Sequence, residues 1–375
     1  MDVPNLSFGN NSYTKLTFGD LYDIKNGINK SKEYFGKGNK ILNYMDVNKS
    51  VKNDENSIKG LIQISDEEYE RYNVQNNDLF FTRTSETSEE IGLTSAYIGN
   101  SEKCIFSGFI LRARPIKEFI NSLYFAYYLR SPKMRNEIIK LSSITTRALI
   151  SGKNLSTLNV KIPDIKEQEK VANFLSLVDK KIKLMEKTLV LYERFAEEFI
   201  KNIYLNLNTS NKVKLRDIVD SYVSNLSISN LDDNEGKYPL YGAEGVVKYI
   251  NFYEMKNQYI SIIKDGAGVG RLNLCNQDSS ALGTLQCLIP KKEFDLHFIY
   301  YYLKNLNFKK YIVGSTIPHI YFKDYSKEKL NIPPLDIQIK YGKQCLTLEM
   351  KKKIIENAIV SLKQYKKYLL QNLFI

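Results

Sequence analysis

The sequence predicts an α+β chain: two α/β globular domains separated by two long helices packed as an antiparallel coiled coil, the whole a pseudo-two-fold internal repeat. Three observations lead there. A pattern near the start, Leu16-Thr-Phe18-Gly-Asp20-Leu21-Tyr-Asp23, returns 197 residues later as Val213-Lys-Leu215-Arg-Asp217-Ile218-Val-Asp220. A second pair, Ile162-Pro163 to Gln168 and Ile332-Pro333 to Gln338, recurs at an offset of 170. The same offset carries Phe199–Tyr204 onto Leu369–Phe374, with no gap across the intervening stretch. Self-similarity of this kind marks a repeated structural unit. The order is globular, helix, globular, helix, with boundaries at 1–161, 162–208, 209–331 and 332–375. At about 100–200 residues per domain, the 375 residues suit two domains, each able to bury a core.

Each globular segment opens on its apolar and acidic pattern and closes on Ile-Pro. Proline punctuates a helix rather than continuing it, so each long helix starts shortly after. In the first, the apolar positions run Val178, Ile182, Met185, Leu189, Tyr192, Ala196, Phe199, Ile203. These alternating steps of four and three make the inner seam of a coiled coil. The matched positions in the second are Leu348, Lys352, Ile355, Ile359, Leu362, Lys366, Leu369 and Leu373. The two lysines weaken the seam without removing it, because a lysine stem can lie along an apolar groove with its ammonium in water. Either helix alone in water would expose its seam; two equivalent helices in one chain can cover each other.

The net charge is +12, a modest sign of an anionic partner. It is unevenly spread. From Lys103 to Lys161 there are eleven basic residues and two acidic ones, and the basic ones include Arg112, Arg114, Arg130, Arg135 and Arg147. Arginine suits both phosphate clamping and two-point reading of guanine. The first long helix, by contrast, has balanced charges.

Several chemistries lack their residues. Cys104, Cys275, Cys287 and Cys345 are scattered, with only His297 and His319 to join them, so no zinc site of ordinary spacing is visible and the thiols read as reduced. Gly266-Ala-Gly268-Val-Gly270-Arg271 follows an apolar strand, but no helical pattern and no Lys-Ser/Thr pair follow it. It reads as a tight turn. Asp164 sits in a hinge that recurs at Pro333, not in a cluster of metal-binding carboxylates. The N-terminus has no charged start followed by an apolar run, and no stretch is long enough to span a bilayer. A cytoplasmic, non-catalytic chain is the expectation.

The run Ile162-Pro-Asp-Ile-Lys-Glu-Gln-Glu-Lys-Val-Ala-Asn-Phe-Leu-Ser-Leu-Val-Asp-Lys-Lys-Ile182 resembles the segment that leads into the long helix of type I restriction–modification specificity subunits. Asn77-Asp-Leu-Phe-Phe-Thr-Arg83, Tyr238-Pro-Leu-Tyr-Gly242, Asp265–Gly270 and Gly314–His319 are similar to that family's globular motifs. The second copy has lost the Glu before Gln338 and the Ala-x-Phe-Leu run, which makes its partner contact the weaker expectation.

The resemblance implies that each globular segment is a target-recognition domain reading one half of a split site in double-stranded DNA. The helix pair would fix the gap between the halves and dock two methyltransferase subunits, joined in the full complex by two ATP-driven translocase-nuclease subunits. S-adenosylmethionine, ATP and magnesium would belong to those partners, with no cofactor or metal on this chain. A reader of this kind needs phosphate contacts for register and a few side chains on base edges. The candidates are Lys30, Lys32, Arg83, Arg112, Arg114 and Arg147 in the first domain. In the second they are Tyr241, Lys264, Arg271, Thr316, His319 and Tyr321. The competing reading, a coiled-coil scaffold that binds only protein, leaves two basic globular domains without a use.

Overall fold

The structure, a computed structural model, describes residues 14–99, 103–144, 146–207, 212–231, 236–266 and 268–374. The N-terminal stretch read above for a secretion signal, and Ala267 of the glycine run, lie outside them. The chain divides into two compact units: residues 1–184 with 359–375, and residues 185–358. Each unit therefore holds one globular domain and a part of both long helices.

In the first unit a five-stranded sheet runs in the order Tyr22–Asn26, Ile110–Pro115, Leu79–Thr82, Thr94–Tyr97, Lys52–Asn53. Leu79-Phe-Phe-Thr82 is buried at every position, as expected of a strand covered on both faces. Behind it lies the Ser122–Tyr128 helix, itself buried throughout; Thr94 Oγ1 donates 2.8 Å to the Ala126 carbonyl and ties the two layers. Thr14–Thr17 pairs antiparallel with Asn159–Ile162, so the chain enters the domain beside the point where it leaves for the long helix. A smaller sheet of Leu61–Ile62, Phe35–Leu42 and Cys104–Phe106 belongs to the same unit.

The second unit repeats the frame. Its sheet runs Val219–Tyr222, Leu285–Pro290, Tyr259–Ile263, Leu272–Cys275, the same succession in chain order as the first four strands of the other sheet. Lys212–Lys214 pairs with Lys329–Asn331, again closing entry onto exit. The connection between the first two strands in chain order is shorter here, 222 to 259 against 26 to 79, which is the main reason the repeat offset shrinks.

The long helices span Ile165–Leu205 and Leu335–Asn372, each opening just past its proline. In the first unit Lys366 pairs with Asp179 at 2.5 Å. In the second, Tyr192 donates to the Leu348 carbonyl at 3.1 Å and Lys352 pairs with Glu193 at 2.7 Å. Within the second unit Tyr204 shares a core with Cys345 while Tyr192, earlier in its helix, reaches Leu348, so the packing is antiparallel. Val178, Ile182, Ile359 and Leu369 are buried; Met185, Leu189, Tyr192, Ile203, Leu348, Ile355, Leu362 and Leu373 are half-buried. Phe199 stays 36% exposed and packs on Phe195, so the seam loosens there. The two seam lysines do more than extend into water: each ends on a carboxylate of the facing helix.

The repeat extends to single contacts. Gln168 is buried; its Oε1 accepts from the Asn121 N–H at 3.0 Å and its Nε2 donates to the Phe119 and Pro163 carbonyls. Gln338 accepts from the Asp295 N–H at 3.0 Å and donates to the Pro333 carbonyl. Asn121 and Asp295 cap the helices Ser122–Tyr128 and Leu296–Lys304, accepting from the third residue on. The repeated glutamine thus ties the start of a long helix to the capped start of the domain's own helix. Asp164, the residue in the hinge, accepts from the Glu167 N–H at 2.9 Å and caps the first long helix.

The far helix ends cross over. Phe374, at the end of the second long helix, sits in the first unit's core, 5.5 Å from the rings of both Tyr124 and Tyr128. Tyr204, at the end of the first, sits in the second unit's core against Phe298 and Tyr302. Each domain is completed by the helix that follows the other.

Candidate nucleic-acid interface

Within the first unit the basic candidates separate into two groups. Arg112 and Arg114 lie on one face of the strand Ile110–Pro115, two residues apart. Arg112 is 2% exposed; its Nη1 donates to the Asn73 carbonyl at 2.9 Å and its guanidinium lies over the Phe106 ring. Burial pulls its pKa down. Arg114 clamps Asp78 through Nε and Nη2, both at 2.8 Å, and also reaches Asn73. Arg130 donates to the carbonyls of Thr94, Val47, Asn48 and Ser50, and Arg135 to those of Glu89, Ile91 and Gly92. Burial lowers both pKa values to about 10. Four of the five arginines of the basic stretch are therefore engaged within the domain. A guanidinium presents five donors in a plane, which suits it to gather loop carbonyls. Arg112 and Arg114 thus spend these donors on groups of their own domain.

Lys30 is also engaged, donating to the Gln63 carbonyl at 3.0 Å and pairing with Glu68 at 2.6 Å. Its hydrogen bond holds the Glu68 carboxyl below its usual range. Lys32 is exposed in a single turn at Lys32–Tyr34. Arg83 follows Leu79–Thr82; its Nη1 donates to the Gly108 carbonyl at 3.3 Å and its N–H to that of Phe109. It lines an open cleft of about 720 Å³ with Asn26, Ser151 and Lys153. Arg147 lies between the paired strands Ser143–Ile144 and Ala148–Leu149, the second of which also pairs with Thr84–Ser85; its side chain is 67% exposed, with Glu86 at 3.8 Å. Thr145, two residues before it, lies outside the described residues. Phe109, 62% exposed beside Arg83, carried no signal in the sequence beyond being one apolar residue after a glycine.

In the second unit two loops converge. One follows the buried strand Tyr259–Ile263 and holds Lys264, Asp265 and the glycines; the other, from Val313 to Tyr321, returns beside it. Gly266, Gly270 and Gly314 have φ of +91°, +87° and +88°, which side-chain-bearing residues rarely adopt. At Gly268 a Cβ would come within 2.7 Å of the Arg271 guanidinium. The glycines are thus turn makers that let Arg271 fold back, where it pairs with Glu244. Thr316 and Tyr321 are exposed and His319 is half-buried. His319 Nδ1 lies 2.7 Å from Asp265 Oδ1, and its ring runs nearly parallel to that of Tyr321. Lys323, missed in the sequence, lies 5.4 Å above the Tyr321 ring. Tyr241 does not join this group. It is 7% exposed in a core with Tyr259 and Met255, and its hydroxyl accepts from the Asn276 N–H. Five of the six candidates in this unit share the two loops.

Among the described residues no group of three or more His, Cys, Asp or Glu is placed to hold a metal, and no helix is long and apolar enough to cross a membrane. The four cysteines are buried, and none is in a disulfide.

Residues 10–191 and 208–369 each match the family model of the type I restriction modification DNA specificity domain. The specificity subunit of the type I restriction enzyme EcoKI from Escherichia coli K12 is 27% identical over 162 residues, covering 42% of this chain. The matched stretch is about a third of that relative, 34% of its length. A putative specificity subunit of the type I enzyme MjaX from Methanocaldococcus jannaschii is 22% identical over 318 residues, 76% of this chain and 75% of the relative. Among solved structures, the S subunit of a type I restriction–modification system from M. genitalium superposes with a TM-score of 0.65 at 19% identity, covering 100% of this chain and 98% of that one. The HsdS subunit from Thermoanaerobacter tengcongensis gives 0.53 at 14%, over 99% and 98%. At these identities the structures speak to the fold.

Proposed function

The chain belongs to the type I restriction–modification DNA specificity family, with one family domain in each half, and from that premise we propose that each globular unit reads one half of a split double-stranded DNA site. The observation that carries this is the duplicated frame. Two units share strand order, strand closure and helix-start glutamine, yet differ in the loops that would meet DNA. A common scaffold with divergent loops suits two readers of different sequences. The contact set is Lys32, Arg83 and Arg147 in the first unit, with Lys264, Arg271, Thr316, His319 and Tyr321 in the second.

The long helices set the gap between half-sites and dock two methyltransferase subunits. Supporting the docking role, Val190, Leu191 and Phe195 of the first long helix are 64%, 59% and 55% exposed on a helix whose seam is already occupied. Such a doubly apolar helix suits a bundle of more than two helices. Two translocase-nuclease subunits complete the assembly in the cytoplasm. Methyl transfer, ATP hydrolysis and cleavage, with S-adenosylmethionine, ATP and magnesium, belong to the partners. Co-expression with the methyltransferase from the same locus, followed by mapping of methylated bases, tests the proposal. A split motif with two defined halves is expected; scattered or absent methylation overturns it.

A further inference from the structure

In the second unit the backbone around His319 is fastened on both sides. Asp265 and Val313 each form an isolated β-bridge with it. The Gly266 N–H donates to the Pro318 carbonyl and the Ile320 N–H to that of Lys264, both at 2.9 Å. A side chain on such a frame is held more closely than one on an unsupported loop. The ring itself is oriented from two directions: Nδ1 lies 2.7 Å from Asp265 Oδ1, and the Tyr321 ring is inclined by only 15° at 6.5 Å. The other Asp265 oxygen faces Lys264 at 3.8 Å. A carboxylate accepts and does not donate, so the nitrogen beside Asp265 carries the hydrogen. In the neutral ring, Nε2 is then the acceptor. The side chain keeps 36% of its surface exposed, so the ring is not enclosed by the domain. Thr316, a neighbour on the same loop, has a hydroxyl that both donates and accepts and so imposes no polarity. Lys264 and Arg271 carry charge suited to phosphates, which position without discriminating sequence.

We propose that His319 is a base-reading residue of the second unit, that Asp265 is its positioning residue, and that the pair selects a base presenting an exocyclic amine, adenine N6 or cytosine N4, in the major groove. The inference rests on the reading of this unit as a half-site reader. It adds a named atom, a hydrogen-bond polarity and a base class.

The test uses the full chain co-expressed with the methyltransferase subunits of its own locus and selected on a randomised duplex library under mildly alkaline conditions. The unaltered complex enriches a two-part site. His319→Ala then loses discrimination at one position of one half-site by about 5- to 150-fold, with the other half intact. His319→Gln, similar in size and offering both donor and acceptor, broadens the choice at the same position. Asp265→Asn has an amide that can accept from or donate to Nδ1, so the tautomer is no longer imposed. Guanine or thymine then enters at that one position, while the salt dependence of binding stays as it was. If both His319 variants keep every base preference, or if Asp265→Asn weakens all sequences equally, the inference is overturned. If the unaltered complex enriches no two-part site, the half-site reading falls and this inference with it.

Discussion

Arg114 sits in a stretch dense with arginine, yet its guanidinium is spent on Asp78, 36 residues away in the chain. A sequence displays the arginine and the aspartate but not their meeting. For Arg130 the partners are main-chain carbonyls, which every segment possesses, so nothing in the sequence marks it as internal. Removing the Arg130 side chain strands several carbonyls: Arg130→Ala should destabilise the first unit by about 3 kcal/mol in urea unfolding. Arg147→Ala should leave unfolding unchanged and weaken cognate duplex binding by about 1–3 kcal/mol if it reads a base. Burial pushes the thiols of Cys275 and Cys345 up to about 11 and Cys287 to about 12. Thiolate is the reactive form, so alkylation of these three at mildly alkaline pH should be slow until denaturant is added.

At the scale of elements, what recurred locally was legible. Ile-Pro with a glutamine five residues after the proline signalled a helix start twice, and at both starts that glutamine's Oε1 accepts from the N-cap N–H of the domain's own helix. Gln168→Ala and Gln338→Ala should each cost about 1–3 kcal/mol, since each leaves buried main-chain groups unpaired. Hydrogen exchange should place the first effect at Ser122–Tyr128 and the second at Leu296–Lys304. The drift of the Ala-x-Phe-Leu run in the second copy also finds an account. Val171, Ala172 and Leu175 are buried in the first unit's core. In the second copy Gly342 occupies the place of Ala172, and a Cβ there would come within 2.3 Å of Oδ1 of Asp295, the N-cap that corresponds to Asn121. The run answers to packing within each unit, so its loss is a change of fit. The lysines in the seam were less legible, because heptad position says which way a side chain points and not that Glu193 or Asp179 waits opposite.

At the scale of the molecule, the crossing of helix ends couples each domain to sequence far away. Phe374 stands next to the end of the chain and still belongs to the first core. Phe374→Ala should cost about 3–5 kcal/mol, and hydrogen exchange should register it around Tyr124 and Tyr128 rather than in residues 212–331. If the helix pair sets the gap between half-sites, inserting one heptad at matched seam positions in both helices keeps their register. It lengthens each by about 10 Å at 1.5 Å per residue, and the mapped motif should gain about three base pairs between its halves. An unchanged gap would refute the spacing role.

By itself, the sequence determined the duplication, the two long helices and their seam, and the family resemblance, because each rests on periodicity or local motif and such signals are written along the chain. Only the tertiary structure decided which cations face outward, which helix end completes which domain, and that Asp265 meets His319 across 54 residues. Those outcomes depend on contacts between distant segments. A charge or a ring acquires its role only when folding brings it to a carboxylate, a carbonyl or the solvent.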